Sequence, residues 1–447
     1  MADWLRDNAR RSDCFADLHV SVARERALKW RKGRFDEQGV SLSTQISLRA
    51  VDALGREASA AAAGVSPEPA VLEGLLEKAK RALPYAGANP YRPAPSWLDY
   101  LGEPKNEKSK LDIVDPDWDL KIGAWPALAR HCLGLLARRK GLKEVLAMEL
   151  AAGIEENVYA ASNGIVRRET GSAGSLSVEL VAEKKGEIRV FGGGASSRRW
   201  SDLRRKAPAV LEKTARLTLG LAGARQPPLG RFPVVIDPWL GEEMLELLAP
   251  SFSADRVHKG FSPWKNRLGE TVAGSPVSLI DDGRLKGGLG SARWDDEGFA
   301  TGRQVLIDAG RLCGFLYDFA SARKDGARTT GNAVCAGDGT PSPGTSNFYL
   351  AAGKSSPQSL IEETRRGVYL IALQGLHTVD LAAGHFSLGG SGFWIEGGEL
   401  AYGIDRFSVS GNMFDLLKSI DAVGSDLEFN GSMAAPTVRV AHLDIGA

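Results

Sequence analysis

The chain has 447 residues, too many for one ordinary hydrophobic core, so two domains are expected. Its 56 basic and 55 acidic residues leave a formal net charge of +1, which supplies no field for gathering nucleic acid or an anionic membrane surface. No apolar run is long enough to span a bilayer, and the polar start "MADWLRDNARRSDC" lacks the apolar core of a signal peptide. The four cysteines (Cys14, Cys132, Cys313 and Cys335) are too dispersed for a disulfide framework or a thiolate zinc site. The expectation is a soluble protein of the reducing cytoplasm.

Residues 17–62 carry partial period-2 alternation closed by Gly-containing turns and read as strands. A helix is expected over 67–82, with Ser66 as its N-cap and Pro67 in its first turn. The Pro- and Gly-rich stretch 85–110 reads as a surface excursion. A second helix is expected over 124–140, strands over 155–193 with turns at 162–164 and 184–187, and a long helix over 200–222. The densest basic run, "SSRRWSDLRRKA" at 196–207, reads as a solvated face leading into that helix. "GARQPPLGRFP" at 223–233 marks a boundary that divides the chain into 1–222 and 223–447.

In the second part, "LIDDGRLKG", "VLIDAGRLCGFLYD" and "FWIEGGELAYGI" each set acidic residues and Gly between apolar alternating segments, a hairpin signal. Two helices interrupt them. One is "EEMLELLAPSF", 242–252, with Glu242 and Glu243 in its first turn. The other is "SSPQSLIEETRRG", 355–367, with Ser356 as N-cap, Pro357 in the first turn and Gly367 as terminator. The fold class expected is α+β, a mixed N-terminal domain followed by a strand-rich domain of antiparallel hairpins and few helices.

Several motifs fail as sites on chemical grounds. "GGLG" at 287–290 lies among hairpins, not between a strand and a helix whose N-terminus would meet a phosphate. "GKSS" at 353–356 lacks the earlier P-loop glycine, since Phe348 stands there. "GGSGF" at 389–393 puts Phe393 where a nucleophile elbow needs glycine, so Ser391 is not read as a nucleophile. None of the six histidines is followed by Glu. His377 and His385 would stand about 26 Å apart on one straight strand, beyond shared coordination. A turn between them could gather both with Asp380 as three zinc ligands, but a polar loop lining a cleft is the favoured reading. The carboxylates Glu242, Glu243 and Glu246 read by spacing as an amphipathic helix. Glu246 would need a partner or a proton if buried.

A set of motifs in order then gives a resemblance. They are "PVVIDP" (233–238), "LIDDGRLKGGLGSARWDDEGFATGRQVLIDAGRL" (279–312), "SARKDGARTTGNA" (321–333), "SNFYLAAGKSSPQSLI" (346–361), "GSGFWIEGGELAYGIDRFSVSGNMFDLLKSI" (390–420) and "AVGSDLE" (422–428). Across roughly 200 residues the chain resembles the TldD/TldE family, whose TldE branch is also called PmbA. The resemblance implies a heterodimer that hydrolyses peptides, trimming leader peptides or degrading unfolded substrates. In it, the TldD subunit carries zinc on an H-E-x-x-x-H helix with a further cysteine ligand, while TldE lacks these ligands and helps enclose the cleft.

Placed on this chain, the zinc helix falls on "LELLAP", 245–250. Leu245 and Pro250 stand in the histidine positions and Glu246 in that of the general base. The C-terminal "FNGSMAAPTVRVAHLDIGA" has no cysteine. Glu246 without zinc has no activated water to deprotonate. A second departure is "HTVDLAAGHFSLGGSGFWIE", where the family's TldE branch has an Asn/Thr-Gly-Asp-Phe-Ser type of loop. The resemblance thus implies a TldE-like subunit with no catalytic residue and no cofactor of its own, zinc being on a TldD-like partner. The substrate is an extended peptide held by this chain's cleft wall. The cleft candidates are His377, Asp380, His385, Ser387, Ser391 and Trp394. Two alternatives stand beside it: a homodimer with its own metal at His377, Asp380 and His385, and a peptide-binding scaffold without hydrolytic activity.

Overall fold

The computed structural model describes residues 4–5, 7–8, 14–92, 95–100, 111–120, 122–335, 339–380 and 383–447; positions 93–94 and 101–110 of the expected surface excursion lie outside them. The N-terminal half is built on one six-stranded antiparallel sheet. Its strands are β1 (Phe15–Arg31), β2 (Arg34–Val51), β3 (Glu57–Ala63), β4 (Leu142–Ala161), β5 (Val166–Lys184) and β6 (Glu187–Ser197), in the order β3-β2-β1-β4-β5-β6. Alternation sorts the side chains. Leu18, Val20, Ile46 and Leu48 go to one face and bury Leu72, Leu75, Leu76 and Ala79 of the helix Pro69–Ala82. Farther along the same sheet, Leu28, Met148, Leu150 and Leu176 bury the helices Trp125–Ala137 and Trp200–Leu221.

Two local expectations needed correction here. The first helix starts at Pro69 behind an extended Glu68 with no side-chain cap, not at Ser66 and Pro67. A residue before proline is pushed to extended backbone, and both Ser66 and Glu68 precede one, so helix can begin only after the second. β4 also begins at Leu142, well before the strand region expected from 155.

The C-terminal half holds two further sheets and a hairpin. Its strands are β7 (Gly230–Ile236), β8 (Leu279–Asp282), β9 (Arg303–Asp308), β10 (Arg311–Leu312), β11 (Ala333–Cys335), β12 (Pro341–Pro343), β13 (Phe348–Leu350), β14 (Arg366–Gln374), β15 (His385–Glu396), β16 (Glu399–Asn412), β17 (Ile420–Val423), β18 (Met433–Ala434) and β19 (Val438–Gly446). The order β16-β15-β14-β7-β19, closed by a β16–β19 pairing, makes a small barrel with β17 attached outside β19. Beside it lie the sheet β10-β9-β8-β13-β18 and the hairpin β11-β12. The molecule is thus α+β and strand-rich, as the patterning predicts.

"LIDDGRLKG" is not a hairpin. β8 ends at Asp282 and pairs with β9, and the intervening loop is held by buried side chains: Asn347 Nδ2 donates to the Asp282 carbonyl at 2.6 Å and its Oδ1 accepts from Gly290 N at 2.9 Å. The helix Pro357–Thr364 starts on Ser356 as expected, but Arg365 with φ 51° ends it and Gly367 already belongs to β14. The helices Ala254–Lys259, Phe319–Lys324 and Met413–Ser419 were not expected. Six or seven residues give too little periodicity to declare themselves.

The two halves share a core. Leu217 and Leu221 at the end of the long helix cluster with Val235, Tyr369, Phe393 and Ile395 of the barrel. Gly220 makes this approach possible, because a Cβ there would sit 2.3 Å from the Phe393 ring.

Candidate functional site

The stretch "EEMLELLAPSF" belongs to a helix that begins earlier than its carboxylates suggest, at Pro238. Asp237 caps it, accepting from Trp239 N at 2.9 Å, from Lys213 Nζ at 2.8 Å and from the Tyr369 hydroxyl at 2.6 Å. Glu242 and Glu243 therefore lie in the second turn, not the first. Met244, Leu245 and Leu248 face the barrel core, where Leu245 lines an apolar cavity of about 40 Å³ with Val277, Leu350 and Leu416. Ala249–Phe252 continue as a tighter turn. Glu243 and Glu246 face solvent.

Glu242 behaves differently. Its Oε1 is shut off from solvent with no hydrogen-bond partner. Burial pushes the carboxyl up to about 8, against the pull of Lys213 and with the help of Asp237.

The loop candidates separate into two groups. His377 stands exposed on the turn Leu376–Thr378, Asp380 is exposed two residues later, and His385 is exposed at the start of β15. Positions 381 and 382 of "LAAG" lie outside the described residues. Among the described residues no group of three His, Cys, Asp or Glu side chains lies close enough to hold a metal ion, so His377, Asp380 and His385 do not form the zinc site offered as an alternative. His385 and Ser387 do share a cavity, about 640 Å³, with Ser410, Asn412, His442 and Asp444. The Ser410 hydroxyl donates to Ser387 Oγ at 2.9 Å across β15 and β16.

Ser391 and Trp394 are both buried, on opposite faces of β15. Along β15, residues 385–389 alternate exposed and buried, then every residue from Gly390 to Ile395 is buried. The alternation itself persists: Phe386, Leu388 and Trp394 face the barrel core, while Phe393 and Ile395 on the other face pack with the long helix, so both faces are buried. The extra residues at the two register shifts belong to β16. The Ser391 hydroxyl donates to Asp405 Oδ1 at 2.6 Å, while Arg189 from β6 holds Oδ2 at 3.2 Å. Trp394 is 2% exposed, packs edge-on to Phe232 at 5.1 Å and lies under the Arg366 guanidinium.

Sequence reasoning missed a polar seam between the halves. Arg49 of β2 makes a bidentate pair with Asp17 of β1 and reaches Glu297 of the C-terminal half at 2.9 Å and Glu57 at 3.3 Å. Arg92 joins Glu57 at 2.5 Å to Asp318 at 3.0 Å. Next to this network, His19, Ser47, Tyr159, Arg167, Trp294 and Asp296 line an interdomain cavity of about 590 Å³. The only signal for it was the run "WDDEG", which reads equally well as a turn.

Comparison with known proteins places this architecture. The family model for the PmbA/TldA metallopeptidase central domain matches residues 115–222, and that for the C-terminal domain matches residues 229–447. A metalloprotease of Methanothermobacter thermautotrophicus is 38% identical over 216 residues, 48% of this chain and 47% of that protein. The metalloprotease PmbA of Escherichia coli O157:H7 is 27% identical over 290 residues, 64% of this chain and 62% of its own length. TldE from Thermococcus kodakarensis superposes over 100% of this chain and 99% of its own with a TM-score of 0.86 at 22% identity, a likeness of fold. The chain belongs to the PmbA/TldD metallopeptidase family. The matched segments span about half to three-fifths of the curated relatives.

A metallopeptidase family implies a metal. The residues at 245 and 250 do not fit one: Leu245 is a hydrocarbon packed into the core, Pro250 offers no side-chain donor, and the segment 429–447 holds no cysteine. No described helix is long and apolar enough to cross a membrane.

Proposed function

We propose that this chain is the TldE-like subunit of a two-chain zinc metallopeptidase, with the metal on a TldD-like partner and an unfolded or modified linear peptide as substrate. The observation that carries this reading is the state of the helix Pro238–Leu248. Where the family's zinc helix would fall, the side chain at 245 is apolar and buried against Val277, Leu350 and Leu416. A general base at Glu246 has no metal-bound water to act on. In the proposed division of labour the partner activates water, and this chain supplies cleft wall and holds the peptide in extended form, by main-chain pairing to an exposed strand edge. His377, Asp380, His385 and Ser387 are the candidates for side-chain contact. Ser391 and Trp394, buried as they are, would act only by shaping the barrel beneath. We place the complex in the cytoplasm, in keeping with four cysteines too dispersed along the chain for a disulfide framework.

The test is co-purification with a TldD-like chain, followed by cleavage of an unstructured synthetic peptide by each chain alone and by the mixture. Cleavage only in the mixture, with zinc tracking the partner, is expected. Stoichiometric zinc on this chain alone that is lost on His385→Ala, or cleavage by this chain alone, overturns the reading.

A further inference from the structure

β2 outruns one of its neighbours. It pairs with β1 from Arg34 to Val51, but β3 joins it only from the Gln45–Ala63 pair onward. Residues 34–43 therefore form an open edge of the N-terminal sheet. Among the described residues the nearest main-chain partner on that outer side is Gly64, whose N–H donates to the Thr44 carbonyl at 2.9 Å. The sheet's opposite edge, β6, meets the C-terminal half instead: Ser196 N–H donates to the Asn430 carbonyl at 3.0 Å and Arg189 pairs with Asp405 at 3.2 Å.

The Gly64 bond fixes which groups are open. In an antiparallel ladder the N–H and C=O of one residue point to the same side, and the side alternates along the strand. Thr44 points outward, and no register shift interrupts 37–44, so Gln38, Val40 and Leu42 also turn their main-chain groups outward. Natural edges of this length are blunted by Lys, Pro or inward charge. The run Glu-Gln-Gly-Val-Ser-Leu-Ser at 37–43 has no Lys, Arg or Pro. Its one charge, Glu37, is answered by Lys29 of β1 at 3.8 Å. Val40 is 65% exposed and Leu42 72%, on the same face of the sheet.

The ends of the run select its partner. At one end a register shift leaves Asp36 as a bulge with no strand partner, and at the other Gly64 occupies Thr44. The straight open run is 37–43, and Val40 is its midpoint. Laid antiparallel on a second copy about that midpoint, Val40 faces Val40, Gln38 faces Leu42, Gly39 faces Ser41 and Glu37 faces Ser43. No like charges meet, the outward groups of Gln38, Val40 and Leu42 find partners, and the Val40 and Leu42 side chains of both copies form one apolar row across the join. Slipping the register by two residues sets Leu42 against the Asp36 bulge in one direction, and Glu37 against Gln45, which β3 already pairs, in the other.

We propose that residues 37–43 of β2 are a self-association surface, on which two copies of this chain join antiparallel about Val40 into one continuous sheet. The proposal does not rest on the zinc reading, which concerns the helix Pro238–Leu248.

Sedimentation equilibrium of the full chain alone, from about 1 to about 100 µM, should show a monomer–dimer equilibrium. Val40→Lys sets two charges face to face at the axis, and Val40→Pro removes an N–H that points away from β1. Both should keep the wild-type circular dichroism spectrum and raise the dimer dissociation constant by at least about tenfold. The register is read separately under mild oxidation. Val40→Cys should give a covalent dimer, its Cα atoms being about 5.5 Å apart across the join. Leu42→Cys should not, its Cα atoms being roughly 14 Å apart. Three results overturn the proposal: a chain that stays monomeric throughout, even if an extended peptide binds this edge; a dimer that both Val40 variants leave unchanged; or cross-linking of Leu42→Cys as readily as Val40→Cys.

Discussion

Replacing Arg49 by Met tests whether the polar seam couples the two halves. Arg49 is 4% exposed, and its partners Asp17 and Glu297 are 7% and 2% exposed in their side chains. Burial works against its charge, but Asp17 and then Glu297 outweigh that, so its pKa stays above the ordinary guanidinium value. A pair of charges near 4 Å interacts by about 4 kcal/mol at an effective dielectric constant of about 20. Desolvation offsets much of this for the intact pair. Removing one partner is different, because Asp17 and Glu297 then stay buried and uncompensated, a loss of about 3–5 kcal/mol. Met matches the Arg stem in bulk, so cavity formation contributes little. The assay is urea unfolding at neutral pH, followed by fluorescence of tryptophans in both halves. The midpoint should fall by the equivalent of about 3–5 kcal/mol. In the Arg49→Met/Glu297→Gln double variant the two losses should not add, because one removes the other's partner. A loss under about 1 kcal/mol, or full additivity, would refute the claim that this seam is a coupled buried network.

The remaining expectations follow from packing and from the missing ligands. Trp394→Ala empties a site 2% exposed and should cost about 3–5 kcal/mol in the same unfolding assay, whereas His385→Ala at the exposed start of β15 should change stability by no more than about 0.5 kcal/mol. Gly220→Val forces its new side chain into the Phe393 ring and the helix–barrel contact, so the melting temperature should drop by several degrees or soluble protein should be lost. Leu245→His combined with Pro250→His should destabilise the barrel core, and elemental analysis should find no tightly held zinc, because the third ligand is still missing. One equivalent of zinc in that variant would contradict the account of the helix.

Much of the fold is readable from local pattern. β1, β2, β5 and the long helix follow alternation and 3.6-residue periodicity because one face of each meets an apolar layer, and the sequence records that face directly. Hairpins with a tight Gly turn, such as β15–β16, are equally local. Leu245 and Pro250 could be recognised as non-ligands without coordinates, since neither side chain has a donor atom at any geometry.

What the chain order alone did not settle depends on partners far away along it. Ser391 and Trp394 look like members of an alternating strand with one wet face. Alternation sends Trp394 to the barrel core, and the N-terminal half covers the face of Ser391, where the Trp200–Leu221 helix packs on Phe393 and Ile395 and Arg189 pairs with Asp405. Glu242 looks like its neighbours Glu243 and Glu246 in sequence. Its Oε1 is shut off from solvent, and burial together with Asp237 raises its pKa against the pull of Lys213 of the long helix. Arg49 and Glu297 are 248 positions apart, and neither shows by its surroundings that it will be paired. Periodicity and donor chemistry are properties of a short segment, so the sequence determined the elements and excluded a zinc helix. Burial, pairing and protonation are properties of an environment, and only the packing of the two halves decided them.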